Sequence, residues 1–285
     1  MRISLAAAFT LLFCGHSLAD FSDQQIKEVK AMHWKPATGF RLVDSKSSIG
    51  TLSDFQLIAG PEARRFREII DGKSDPQQEA DVFNSNKTSE IIYEWFPSGF
   101  VKSDDWADVD ADSFLSQLKE LDVEANKIRQ QKGLPTLTTT GWRQKPTLNQ
   151  DTNTVSWAIE GVDSEGAHVL NFDALKLGRY GFEKIIWVID PNDMGDRNDL
   201  LLAVNNHHFD NGARYVDYVA SIDHSAEYGV AGLVAGAIGV KVLKVAGAGA
   251  AIIALKKFAF ILILPFIYAW RKITGLFKRK PGTSV

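Results

Sequence analysis

The sequence predicts an α+β fold, an antiparallel sheet with packed helices, followed by a C-terminal membrane-embedded helical segment. Three observations carry this. Strand-like runs between Thr136 and Asp190 alternate with turn-rich sequence and show no βαβ rhythm. Apolar residues recur at helical spacing from Phe114 to Ile128. After Glu227 there is no acidic residue, and glycine-rich then aliphatic sequence is broken by lysines.

The N-terminus reads as a signal peptide over residues 1–19. Arg2 is followed by an apolar run from Ile3 to Phe13 and by the small-residue end Ser17-Leu18-Ala19, with cleavage expected before Asp20. An uncleaved anchor is the alternative, but this run is short for a span of about 20 residues. Phe13 before Cys14 is too large for a lipidation signal. Cys14 is the one cysteine, so removing the leader leaves a mature chain without disulfides or thiolate ligands.

Residues 20–227 are expected to form the exported α+β domain. Residues 34–72 read as a small subunit within it: Phe40 to Val43 and Phe55 to Ile58 read as strands, and Pro61 opens a helix through Arg67 to Ile70. Gly72 to Asn86, polar and containing Pro76, reads as a loop, and Glu90 to Phe96 as a strand. Asp112 precedes a helix carrying Phe114, Leu115, Leu118, Leu121, Ala125 and Ile128, closed by Gly133 and Pro135. A meander follows in Thr136 to Arg143, Thr154 to Glu160, His168 to Phe172 and Lys184 to Asp190, and a last helix is expected over Arg197 to His208.

Residues 228–270 read as the membrane segment and 271–285 as a basic cytoplasmic tail. Nine of the 32 basic residues lie after Glu227 and one lies in the leader, leaving 22 against all 35 acidic residues in 20–227, a formal charge of −13. That charge argues against nucleic acid as a partner, while the basic tail suits the anionic cytoplasmic face of a membrane. The expected placement is therefore one net crossing of the inner membrane, acidic domain outside. Over Val245 to Trp270, twelve Val, Ile, Leu and Phe side chains contribute roughly −4 to −7 kcal/mol, against about +5 to +7 for Lys256 and Lys257, so insertion is near break-even. Lys241, Lys244 and Lys256 share one arc of a continuous helix, with Lys257 off it; they either line water or snorkel to headgroups. Gly232 and Gly236 are spaced for close helix approach and homo-oligomerisation.

Chemical motifs are sparse. Asp104, Asp105, Asp108, Asp110 and Asp112 imitate the start of a calcium loop, but Ser113 replaces the turn glycine and Lys119 the closing glutamate, so an acidic helix start is the better reading. His207, His208 and Asp210 read as surface or helix-end residues. No nucleophile elbow, phosphate loop or cofactor fingerprint is recognised, and no cofactor is expected.

Gly141-Trp142, Asn153 to Ala158, Val169-Leu170-Asn171, Leu177-Gly178-Arg179-Tyr180-Gly181 and Gly212-Ala213-Arg214-Tyr215-Val216-Asp217-Tyr218 occur in order ahead of Tyr228 to Val234, with Gly99 to Asp105 upstream. This combination resembles the bacterial membrane-anchored proteins grouped as domain of unknown function 2167. The resemblance implies an exported envelope protein with a C-terminal anchor and implies no reaction. Arg179 and Tyr180, on a glycine-permitted turn, and Asp104 and Asp105 are the recognition candidates; Arg179 either meets a ligand or pairs with an acidic neighbour. The sequence thus favours a non-catalytic binding or scaffold protein with an envelope protein and membrane lipid as partners. A tethered hydrolase or metal-dependent enzyme using Asp104 to Asp112 or His207, His208 and Asp210, and an oligomeric lysine-lined pore, are the alternatives.

Overall fold

The computed structural model describes residues 22–71, 75–85, 89–131, 135–189 and 191–240. Its elements in chain order are α1 (Asp23–Ala31), β1 (Lys35–Pro36), β2 (Phe40–Leu42), β3 (Ser47–Ile49), β4 (Phe55–Ala59), α2 (Pro61–Asp71), β5 (Gln78–Asn84) and β6 (Ser89–Phe96). There follow α3 (Ala111–Gln131), β7 (Leu137–Asn149), β8 (Thr154–Asp163), β9 (His168–Leu177), β10 (Phe182–Ile189), α4 (Pro191–Met194), α5 (Asp199–Asn206), β11 (His207–Phe209) and α6 (Val230–Ile238). The expected α+β class with an antiparallel sheet and packed helices is what the chain forms.

Eight strands make one antiparallel sheet in the order β1-β4-β5-β6-β10-β9-β8-β7. Strand β10 is central and wholly buried, because both faces of the sheet are covered. Its side chains alternate between layers. Ile185 and Trp187 join Ile91 and Tyr93 beneath Leu42, Ile49, Leu200 and Val204, whereas Ile186 and Val188 join Phe83 and Ile92 beneath Phe66, Ile69 and Val29. At the other end of that second face, Val155, Trp157, Leu175 and Phe182 pack under Phe114 and Leu118 of α3 and under α6. The first face carries α5 and a small sheet in the order β11-β3-β2.

Several expectations change. Residues 34–72 are not a separate subunit: β4 pairs with β5 in the main sheet, and β3 pairs with β11 from far along the chain. The expected loop over Gly72 to Asn86 contains strand β5, whose seven residues are all buried. Its polarity hid it: Asp81 and Glu90 both meet Arg67 of α2, and Gln78 donates to Asp81 at 3.1 Å, so charged side chains take core positions by pairing. The helix expected over Arg197 to His208 stops at Asn206, and β11 begins at His207, where pairing with Ile49 of β3 wins. Helix α1, capped by Ser22 and Gln25, was not foreseen.

The largest correction concerns the start of the membrane segment. Val230–Ile238, placed in the membrane from sequence, forms α6, and every one of its residues is buried. Its Val230, Leu233, Val234 and Ile238 share a core cluster with Phe114 and Trp157, because an apolar helix satisfies its side chains against a protein core as well as in lipid. Gly232 and Gly236 lie inside this buried helix, so close approach to a second copy through them requires α6 to leave the core. Among the described residues no helix is long and apolar enough to cross a membrane. The leader, Lys241, Lys244, Lys256, Lys257 and the basic tail lie outside the described residues.

Strand β7 is an outer strand of the sheet. Its ladder to β8 shifts register at three places, and Lys145 and Pro146 lie within it, features that blunt an edge against pairing with another copy.

Candidate functional site

Two segments singled out by sequence, 177–181 and 212–218, meet in space. The turn between β9 and β10 closes with Gly178 N donating to Gly181 O at 2.8 Å, Arg179 N donates to Ala213 O at 2.9 Å, and Gly178 bridges to Arg214. Both glycines are required by close approach: a Cβ on Gly178 would press on the Phe209 ring, and one on Gly181 would run into Phe96 O.

Arg179 is spent inside the protein. Its Nε and Nη2 donate to Asp223 Oδ2 and Oδ1 at 2.8 and 2.9 Å, and its Nη1 donates to Gly212 O at 3.1 Å. Asp223 also accepts from Val219 N at 2.6 Å, and this donor set, led by Arg179, holds its carboxyl below the usual range. Arg214 and Asp217, three residues apart, make a second pair at 2.7 Å within the same loop. Tyr215 and Tyr218 stack on Phe100 with centroids at 4.5 and 3.7 Å, and their hydroxyls bond Val101 O and Ser225 Oγ. With Asp223 and both tyrosine rings engaged by the fold, loop 212–223 presents Val216 at 73 %, Val219 at 41 % and Ile222 at 73 % exposure, next to the half-exposed Arg214. Tyr180 is exposed beside it, with Lys46 Nζ 4.7 Å from its ring centre.

The aspartates do not converge. Asp104 is exposed, whereas Asp105 is half-buried and accepts from Ala231 N at 3.3 Å, capping α6; its burial raises its carboxyl pKa. A Cβ on Gly229 would collide with that carboxylate, so glycine is needed there. Asp110 caps α3 through Ser113 N at 2.9 Å, and Asp112 pairs with Lys145 at 2.8 Å. Among the described residues no three His, Cys, Asp or Glu side chains are placed to hold a metal ion.

His207 stands at the end of α5 but not at the surface. Strand alternation sends His208 outward and His207 to full burial, while Asp210 pairs with Arg41 at 2.6 Å. Around His207 lies a buried polar layer that sequence reasoning missed. His207 Nε2 is 3.7 Å from Glu183 Oε2, and Tyr93 stacks on the imidazole at 6.0 Å. Glu183 faces Lys176 across the ladder and lies within hydrogen-bond reach of Glu79. Lys176 Nζ donates to Val204 O at 2.8 Å and to His207 O. Desolvation holds Glu183 protonated well above its ordinary range, keeps His207 neutral, and brings Lys176 down to about 8. The available signal was Glu183-Lys184 inside the apolar run Phe182 to Ile189.

Residues 35–267 match the family described as "Protein of unknown function (DUF2167)". The chain belongs to this family. No curated protein matches it. The solution structure of cyanobacterial PsbP (CyanoP) from Synechocystis sp. PCC 6803 is similar to this DUF2167 chain at 7 % identity and a TM-score of 0.38, over 61 % of this chain and 92 % of that one. The DUF2167 match takes in both meeting segments, the buried layer and α6, and continues past Val240.

Proposed function

We propose that this DUF2167 protein is a non-catalytic binding or scaffold module of the bacterial envelope, held at the inner membrane by the segment after Val240 with its acidic domain outside. Loop 212–223 is its contact surface for an envelope protein. The observation that carries this reading is the construction of that loop: two arginine–aspartate pairs and two stacked tyrosines fix the backbone while Val216, Val219 and Ile222 face solvent. Preordered apolar side chains lose little entropy on docking, which is what a binding surface needs. Asp105 and Asp110 cap helices, Asp112 pairs with Lys145 and His207 is enclosed, so neither group nominated as catalytic forms an open constellation.

The test is crosslinking in intact cells with the full-length protein, the Val216→Ser/Val219→Ser/Ile222→Ser variant and a chain ending at Val240. The proposal expects a discrete heterotypic crosslink in wild type that disappears in the triple variant, and membrane retention that disappears in the shortened chain. An unchanged crosslink in the triple variant removes the loop from recognition. Membrane retention of the shortened chain removes the anchor from residues 241–285.

A further inference from the structure

The layer around Glu183 holds fully buried polar atoms that find no hydrogen-bond partner among the described residues: Glu79 Oε2, both Glu183 oxygens, both His207 ring nitrogens and Tyr93 OH. Such a concentration in one place requires an explanation, since buried polar groups are normally paired. Three of these atoms belong to the two carboxyls. They lie within hydrogen-bond reach of each other, and two carboxylates offer four acceptors and no donor. One proton between them converts repulsion into a bond.

The covering over this pair is one residue deep. Glu79 Oε1 accepts from Asp44 N at 2.9 Å and from Ser45 N at 3.1 Å, and Ser45 is buried while Asp44 and Lys46 on either side of it are exposed. Ser45 Oγ meets Ser47 Oγ at 2.7 Å, and Lys46 takes a left-handed φ of 53° at the turn. The turn between β2 and β3 is therefore a cover tied to the sheet through Glu79. We propose that Glu79 and Glu183 share one proton that latches this turn closed, and that loss of the proton opens it. Two carboxylates in a desolvated layer repel, and lifting the turn is the shortest way to admit water.

Other groups face the pair from each packed element: Asp44 from the turn, Tyr93 and Glu94 from β6, Lys176 from β9 and His207 from β11, with His208 acting on His207. Their signs separate the effects. Glu183 and Glu79 are raised from an ordinary value of 4.5, so their contribution to the closed state is lost as pH rises above it. His207 is lowered from 6.5, so its contribution is lost as pH falls below 6.5, and between 4.5 and 6.5 the two slopes oppose. Lys176, lowered to about 8 from 10.5, opposes the carboxyl slope again above about 8. Glu94, raised to about 7, adds a slope of the same sign up to that pH, so the carboxyl latch is read alone between pH 7 and about 8.

The experiment is hydrogen exchange of the amides of Asp44 and Ser45 in the full-length protein in detergent across that window, with Glu183→Gln for comparison. Release of one proton on opening makes the opening constant rise about tenfold per pH unit, beyond the base catalysis of exchange itself. Glu183→Gln donates a hydrogen bond to Glu79 without titrating and abolishes the extra slope. A wild-type slope equal to base catalysis, or an equal slope in both proteins, overturns the proposal. Infrared spectra keep the test open if the variant does not fold. In the Glu94→Gln protein, which lacks the other carboxyl raised to about 7, a protonated-carboxyl band at pH 7 is expected, and no such band overturns the shared proton.

Discussion

Arg179 and Asp223 form a two-pronged ion pair across 44 residues of sequence, with Nε–Oδ2 at 2.8 Å and Nη2–Oδ1 at 2.9 Å. It joins the β9–β10 turn to the far end of loop 212–223. A flat guanidinium matched to a carboxylate fixes direction as well as distance, and lysine at this position supplies one point of attachment instead of two. Arg179→Lys is expected to leave the global unfolding transition close to wild type and to raise amide exchange several-fold across 212–223, most at Val219, whose N–H reaches Asp223. Unchanged exchange there disproves the pair's role in holding the loop.

Gly229 faces the Asp105 carboxylate with no room for a methyl group. Gly229→Ala should destabilise the domain by about 1–3 kcal/mol through this overpacking. Asp105→Ala removes the obstacle along with the cap, so the double variant is expected to lose less than the sum of the single losses, measured by urea unfolding. Strict additivity would show that the two residues do not act on each other.

Leu233 of α6 is 1 % exposed within the cluster that holds Phe114 and Trp157. Leu233→Ala should cost about 2–4 kcal/mol in a chain ending at Val240. A chain ending at Glu227 exposes the bed of α6 and is expected to lose cooperative unfolding. Equal unfolding curves for the two lengths would detach α6 from the domain.

Arg67 lies 4 % exposed between Asp81 and Glu90. Arg67→Met leaves two carboxyls buried without their cation, an expected loss of about 3–5 kcal/mol in urea unfolding at pH 7. Acid should recover part of the loss by protonating them. A variant equally impaired at pH 5 and pH 7 contradicts this account.

Glu94 sits beside Lys184 at 3.9 Å, and burial pushes its carboxyl up to about 7. A raised carboxyl costs stability as pH climbs from its ordinary value of 4.5 toward the raised one. Wild type should therefore show a pH slope over that interval steeper than Glu94→Gln by about 1.4 kcal/mol per pH unit. Parallel slopes in the two proteins place the titration elsewhere.

Helix α3 and strands β6, β8 and β10 were legible in the sequence because apolar periodicity and β-branched runs encode burial locally. Strand β5 was not, since Gln78, Glu79 and Asp81 look like loop residues until Arg67, from a helix before them, and the turn at Ser45 supply their partners. The meeting of 177–181 with 212–218 was invisible for the same reason, although each segment stood out. His207 carried no usable signal: adjacent histidines look alike until a strand assigns one to each side.

The sequence by itself determined the α+β class, the family, the acidic charge of residues 20–227 and the apolar, lysine-broken segment near the end, because these follow from composition and short-range pattern. Tertiary structure alone decided that Arg179 is consumed by Asp223, that Asp105 caps α6, that α6 is core, and that Glu79, Glu183 and His207 share one dry layer. A side chain's charge state and freedom depend on what the folded chain brings within a few ångströms of it. Those neighbours come from 24 to 126 residues away, beyond the reach of any local pattern.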